Sequence, residues 1–438
     1  MKIAILGFDV EGKSTYRYLK NLNPKYEIDA YDQRVVEDAD IKVTTVESFL
    51  DIDYVKYGVI VRTASLIKSE IYDKIVADKG GRHDFNFTSN TQIFFDKCPA
   101  PIIGVTGTKG KGTVSSLIAE ILRVAGRKVH LVGNIGVPAL DILPEVKPDD
   151  VVVYELSSFQ LWEFKRRSPH VAVMTMIEPD HLDVHENFSE YTLAKSNIFK
   201  YQMSDDVAVY NDDDALVCEM GESSRAQHRP FPNNKFAHVK QSKIYYSNIE
   251  IAFTDIVKLP GEHNVRNVLA AINAVWDIAK GDIDAIKTGI SKFTGLSHRL
   301  KLVRTVDDVQ FYDDSIATTP GSTAVAIKSF DAPKVLIIGG QDKGANYDAL
   351  GREIAKYNIR TVFAIGANRA KVAAAIRTNS DAIVHELDTK KMPEIVAAAY
   401  RAAESGDIVI LSPAAASFDM FKNYQDRGEQ FVAAVNSL

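Results

Sequence analysis

The sequence predicts an α/β protein of three domains: a Rossmann-like N-terminal domain, a central parallel sheet of the P-loop ATPase type, and a Rossmann-like C-terminal domain. Three observations carry that reading. At 438 residues the chain exceeds one ordinary domain, and its length suggests about two to four. Short β-branched runs alternate with longer helical patterns, as in parallel sheets with crossover helices. Glycine-containing turns follow several of those strands, at the ends where such sheets gather ligands.

The elements follow in order. "KIAIL", "YEIDAYD" and "YGVIV" read as strands of a first domain, residues 1–98, which ends near "FDKCPAP". The Pro-containing "CPAPIIGVTG" then enters a second domain, 99–296, with strands "KVHLVG", "VVVYEL", "VAVMTMI" and "DVAVYN". Between about 220 and 262 short, polar, aromatic-rich strands replace helices, which predicts an antiparallel edge on the second sheet. A helix over "EHNVRNVLAAINAVWDIA" and a hinge at "FTGLSHRLKLV" lead to the third domain, 297–438. Its strands are "VQFYDDS", "KVLIIGG", "TVFAIG" and "DIVILSP".

Bulk composition narrows the class. Apolar residues make up 46%, enough for buried cores, and the net charge of −6 gives no support for a nucleic-acid partner. The two cysteines, Cys98 and Cys218, have no metal spacing and suit a reducing compartment. "MKIAIL" is too short for a signal peptide, and no run of 18 apolar residues spans a bilayer. A cytoplasmic protein without membrane insertion is expected.

Two stretches compete as a phosphate loop. "GFDVEGKS" matches G-x-x-x-x-G-K-[ST] literally, whereas "GVTGTKGKGT" misses it at Val105 and Gly112. A phosphate loop wraps backbone N–H groups around an anion, so it favours glycines and disfavours acids. The first stretch puts Asp9 and Glu11 inside the loop; the second has Gly107, Thr108, Lys109, Gly110, Lys111 and Gly112 with no acid. Thr113 supplies a magnesium hydroxyl, and Glu155 ends the later strand "VVVYE", where an acid to hold the metal is needed. The second stretch is therefore read as the ATP loop. After the first, Asp32 lies at the spacing where a Rossmann-like unit contacts a ribose or sugar nucleotide.

Other clusters sit at strand ends. "EPDHLDVH" holds His181, Asp183 and His185; His181 is the metal or substrate candidate, and Asp183 and His185 are read as structural. Lys195, on the following helix, reads by itself as a solvated charge. Asn264 and Asn267 share a helix face, with Asn264 alternatively an N-cap. Arg299 at the hinge is a phosphate clamp or a surface ion pair. "YDDSIATTPGST", "IGGQDKGANY" and "LSPAAASFDMFKNYQDRGEQF" form a candidate ligand face.

In their order, "GVTGTKGKGT", "GNIGVPAL", "YELSSFQL", "DHLDVH", "GEHNVRN", "GLSHRL", "DDSIATTPGST" and the serine-rich C-terminal stretch resemble the Mur ligases. "ELSSFQL" and that last stretch are similar to the D-glutamate-adding members in particular. The resemblance implies an ATP-dependent amide ligase of peptidoglycan synthesis, acting through an acyl phosphate on UDP-N-acetylmuramoyl-L-alanine and D-glutamate; separately, a monomer is expected. It implies that Lys111 and Thr113 serve the ATP phosphates and Mg²⁺, and that Glu155 and His181 are magnesium ligands. Lys195 matches a lysine carbamylated by CO₂. Asn264, Asn267, Arg299 and Asp314 match nucleotide contacts, and Asn134 a muramoyl-substrate contact. Thr318, Lys343, Ser417 and Tyr424 match D-glutamate contacts, and Asp32 and Arg34 uridine contacts. Departures are Gly112, typical of folylpolyglutamate synthases, and "VRTAS" in place of a Ser-Pro-Gly turn. They leave a glutamate-adding folate-type ligase as the first alternative and a non-catalytic nucleotide-sugar-binding regulator as the second.

Overall fold

The computed structural model describes residues 1–64, 66, 69–81, 86–134, 137–162 and 164–438. The chain divides into two compact units, Met1–Ile256 with Arg266–Lys292, and Val257–Val265 with Phe293–Leu438.

The first unit contains two large parallel sheets. Strands β1 (Lys2–Leu6), β2 (Glu27–Asp32), β3 (Val43–Thr45), β4 (Val59–Arg62) and β5 (Asn86–Ser89) form one, in the order β3-β2-β1-β4-β5. Alternation along β1 sends Ile3 and Ile5 into one apolar cluster and Ala4 and Leu6 into another, so both faces are covered. The order reverses at β1, so the switch point at which open α/β sheets take their ligands falls at the carboxyl ends of β1 and β4.

The second sheet comprises β6 (Ile102–Thr106), β7 (Val129–Gly133), β8 (Val151–Glu155), β9 (Val171–Met174), β10 (Val207–Asn211) and β11 (Gln227–Phe231), in the order β11-β10-β9-β6-β8-β7. Strands β6 and β8 are buried along their whole length, the pattern of central parallel strands.

The expected antiparallel edge on this sheet is not there. The edge strand β11 runs parallel to β10, and the aromatic-rich β12 (Ala237–Lys240), β13 (Lys243–Tyr246) and β14 (Ile249–Phe253) make a separate antiparallel sheet. Pro230 within β11 lacks the N–H that a further ladder needs. Tyr246 stacks on Trp276 at 3.6 Å, anchoring the small sheet to the residue that follows the helix Glu262–Val275 instead.

In the second unit β15 (Lys301–Val306), β16 (Val309–Asp313), β17 (Lys334–Gly339), β18 (Ile359–Ile365), β19 (Ile383–Glu386) and β20 (Ile408–Leu411) form a sheet in the order β15-β16-β20-β17-β18-β19. Only β15 runs antiparallel, through a two-residue turn with positive φ at Asp307 and Asp308. Among the described residues no helix is long and apolar enough to cross a membrane.

Candidate active site

In the first unit, β6 delivers the chain into a loop over Gly107–Gly110 and the helix Lys111–Val124. Gly110 holds the N-cap position at φ 86° with no side-chain cap, and Gly107 has φ 141°. A Cβ at Gly107 would stand 2.0 Å from Thr175 Oγ1, and one at Gly110 2.6 Å from Asn267 Oδ1. Only glycine leaves a cradle lined by backbone N–H groups at a helix N-terminus, which fits a polyphosphate.

Neighbouring side chains brace the loop. Thr175 Oγ1 donates to Lys109 O at 2.6 Å, Thr108 Oγ1 pairs with Tyr191 Oη at 2.8 Å, and Lys109 pairs with Glu178 at 2.6 Å. Lys111 Nζ donates to Gly107 O and Thr108 O, both at 2.9 Å. Gly112 and Thr113 are buried in the first turn.

Lys195 overturns its reading as a solvated charge. It lies on the helix Phe188–Lys200, only 2% exposed, and donates to the same Gly107 carbonyl at 2.8 Å. Burial, then repulsion from Lys111, holds its amine well below the usual lysine range; Asp180 and Glu155 oppose the shift. Glu155 is buried at the end of β8, and its neighbour on β6 is Val105. Two lysines and a carboxylate therefore surround one loop, a charge set suited to a transferring phosphoryl group.

His181 is exposed at φ 53°, 3.6 Å from Asp180 and 4.8 Å from the Phe159 ring centroid. His185 is buried, with Nε2 2.9 Å from Ser158 Oγ, while Asp183 is exposed. Asn134, exposed beyond β7, donates its N–H to Glu155 O at 3.4 Å. Ile135 and Gly136 of "GNIGVPAL" and Ser65 of "VRTAS" lie outside the described residues.

The literal match after β1 folds differently. Asp9 caps the helix Val10–Leu22, so Gly12, Lys13 and Ser14 lie inside it, and Lys13 pairs with Asp38 at 3.0 Å. Glu11 accepts from Ala64 N at 2.8 Å and from Gln160 Nε2 at 3.2 Å. Carboxylates of the chain occupy this helix N-terminus. Asp32, buried at the end of β2, accepts from Phe8 N at 2.8 Å and Arg34 N at 2.9 Å and pairs with the Arg34 guanidinium at 3.1 Å.

In the second unit the three candidate loops meet at the carboxyl ends of the adjacent strands β16, β20 and β17. Ala414 N bonds Ala317 O at 2.8 Å, Gly339 N bonds Pro413 O at 2.7 Å, and Gln341 N bonds Ala416 O at 2.8 Å. This edge carries Thr318 (exposed), Lys343 (exposed, 5.6 Å from the Phe418 ring) and buried Ser417. Half-buried Tyr424 opens the helix Tyr424–Asn436. Arg299 is exposed; Asn264, third in the helix Glu262–Val275 rather than its N-cap, donates to Pro260 O at 2.7 Å.

Asp314 is buried, accepting from Ser412 Oγ at 2.8 Å and Leu300 N at 3.1 Å, and burial pushes its carboxyl up to about 7. The folded chain keeps this proton to higher pH than the unfolded chain. Stability therefore falls as pH rises from the ordinary carboxylate range to about 7, and the cost persists above it. Asp314→Asn is expected to gain roughly 2–4 kcal/mol at pH 8. Thermal unfolding should show that advantage vanishing near pH 4; an equal gain at both pH values contradicts the assignment.

Sequence reasoning missed Tyr191, Thr175, Glu178 and Arg427. Tyr191 stands four residues before Lys195, a spacing that places both on one helix face. Arg427, fully buried, donates to Ser315 O at 2.7 Å, Ser315 Oγ at 2.9 Å and Ala415 O at 3.1 Å, tying two of the loops together.

Comparison with known proteins gives two family matches: the Mur ligase middle domain over residues 105–275, and the Mur ligase glutamate ligase domain over residues 298–415. The UDP-N-acetylmuramoylalanine--D-glutamate ligase of Acetivibrio thermocellus is 38% identical over 460 aligned positions, covering 100% of this chain and 96% of its own. That of Symbiobacterium thermophilum is 40% identical over 358 positions, covering 79% and 77%. Among solved structures, UDP-N-acetylmuramate-alanine ligase from Thermotoga maritima aligns with a TM-score of 0.58 at 18% identity, covering 100% of this chain and 99% of its own. A UDP-N-acetylmuramoylalanyl-D-glutamyl-2,6-diaminopimelate--D-alanyl-D-alanyl ligase from Acinetobacter baumannii aligns at 0.60 and 16% identity, covering 99% and 93%. At those identities the likeness is one of fold.

Proposed function

From the premise that this chain belongs to the Mur ligase family, we propose that it joins D-glutamate to UDP-N-acetylmuramoyl-L-alanine at the expense of ATP, in the synthesis of peptidoglycan precursors. The observation that carries the substrate assignment is the 38% identity over the whole chain to a relative of that activity. The chemistry is supported by Lys111 and Lys195 converging on the Gly107 carbonyl beside a glycine cradle.

The substrate carboxylate attacks the γ-phosphorus of ATP and ADP leaves, giving an acyl phosphate. The amine of D-glutamate then adds to the acyl carbon and loses a proton, and the tetrahedral intermediate expels phosphate to leave the amide. Both steps crowd anions together, so cationic groups must be preorganised around them. Lys111 neutralises the γ-phosphoryl group, and the N–H groups of 107–113 hold the remaining phosphates. Thr113, Glu155 and His181, with a modified Lys195, are the proposed donors for Mg²⁺, whose chemistry is to screen phosphate charge. Magnesium needs only one or two carboxylates beside substrate oxygens, which the buried Glu155 next to the loop suits.

Lys195 is proposed to add to CO₂, forming a carbamate and releasing a proton; its buried, neutral-leaning amine is the reactive form. Asn267, beside Gly110, with Asn264, Arg299 and Asp314, contacts the nucleotide. Asn134 contacts the muramoyl substrate, and Asp32 and Arg34 the uridine. Thr318, Lys343, Ser417 and Tyr424 receive D-glutamate, whose two carboxylates call for a cation and hydroxyl donors. Domain bounds at 1–98, 99–296 and 297–438, a cytoplasmic location and a monomeric state complete the proposal.

Phosphate release from ATP tests it. Release dependent on both UDP-N-acetylmuramoyl-L-alanine and D-glutamate is expected, with L-glutamate inactive. Release on a reduced folate with L-glutamate instead would replace the proposal by the folate-type ligase that Gly112 suggests.

A further inference from the structure

We infer that Arg62 is a positioning residue that couples the N-terminal sheet to the phosphoryl-transfer centre by clamping the turn Ser157–Trp162; the inference rests on the function proposed above.

Arg62 ends β4 and is 3% exposed. Its Nη2 donates to Trp162 O at 2.7 Å and Phe159 O at 3.0 Å, and its guanidinium lies 5.0 Å from the centre of the Trp162 ring. Its other arm, Nη1, donates to Thr63 O at 3.3 Å, so one planar group holds the end of β4 and the turn at once while covering a ring, which a lysine ammonium cannot do. A second tie runs parallel to it. Glu11 bridges Ala64 N, next to β4, and Gln160 Nε2 in the same turn. Gln160 in turn closes a capping box with Ser157.

The other side of the turn is held by the helix that carries Lys195. Trp162 Nε1 donates to Glu190 Oε1 at 2.9 Å, and Trp162 packs with Ala194. His185 lies 3.4 Å from Glu190, bonds Ser158 Oγ at 2.9 Å, and stacks on Phe159 with 5.5 Å between ring centroids. The turn also follows Glu155 in the chain with one residue, Leu156, between them. Arg62 thus reaches Glu155 through the backbone and Lys195 through Trp162 and Glu190. Shifts as small as about 1 Å in such a centre cost about 100-fold in rate. "VRTAS" thereby acquires a role: its arginine belongs to the coupling between the sheet proposed to bind uridine and the ATP loop.

The test uses the full chain and four variants. Arg62→Ala is expected to lower kcat for D-glutamate-dependent phosphate release about 10- to 100-fold with KM for ATP little changed. Arg62→Lys should recover part of that loss. Trp162→Phe keeps an aromatic ring there and removes the Nε1 bond, so the double variant Arg62→Ala/Trp162→Phe should lose no more than the worse single variant. Multiplying losses, or a fall in Tm with kcat of the folded protein intact, overturns the coupling. Hydrogen exchange of the ligand-free protein supplies a readout independent of substrate. Arg62→Ala should speed exchange in the helix Phe188–Lys200 as well as in the turn; an effect confined to residues 157–162 overturns the inference. A parent protein without D-glutamate-dependent release would defeat the proposed function and leave the exchange result to judge the coupling.

Discussion

Lys111→Ala is expected to reduce phosphate release by at least about 10³-fold, the cost of removing a preorganised charge from a phosphoryl-transfer site. The side chain leaves the first turn of the helix and folds over the loop, on Gly107 O and Thr108 O. That contact shows how far the ammonium reaches: across the cradle that two positive-φ glycines keep open. The variant should fold normally, because the lysine is half-exposed and packs no core. Near-normal turnover would remove this loop from the mechanism. The match after β1 is a poor replacement, since Asp9 and Glu11 meet the anion first.

Lys195→Ala is expected to lose activity by a similar factor, of order 10²–10³, and to regain part of it when acetate or another short carboxylic acid is added. The reason lies in the site's charge. An ammonium buried beside Lys111 is penalised twice, by desolvation and by repulsion, and a carbamate reverses the sign of that position. A small carboxylate entering the cavity left by alanine supplies the same anion. Activity assays with and without acetate measure the rescue, and carbon-13-labelled bicarbonate should give a carbamate signal in the parent and none in the variant. Full activity of the unrescued variant would sink the carbamate, and the buried lysine would then be a structural donor to Gly107 O.

Much of this architecture was legible in the chain. β1, β6, β8 and β20 are short apolar runs, and their burial on both faces follows from that pattern. Of the two glycine loops, the one without acids is the open cradle, and its glycines stand where a Cβ would collide. Other strands carry no such signal: β3 has three residues, and β19 is largely exposed. The polar stretch between about 220 and 262 predicts strands on the second sheet, whereas only β11 joins it and β12–β14 pair among themselves, because a strand pattern carries no record of its partner.

The sequence by itself determined the alternating α/β order, the glycine loop before the helix Lys111–Val124 and the acid at the end of β8, because these depend on local spacing and on glycine's freedom at positive φ. Only the tertiary structure decided that Lys195 is buried against the loop, that Asp314 is buried on Ser412 and Leu300, and that Arg62 ties one sheet to the turn beside the other. A charged residue has the same letter whether water or a packed core surrounds it, and the desolvation that changes its chemistry is set by segments distant in sequence.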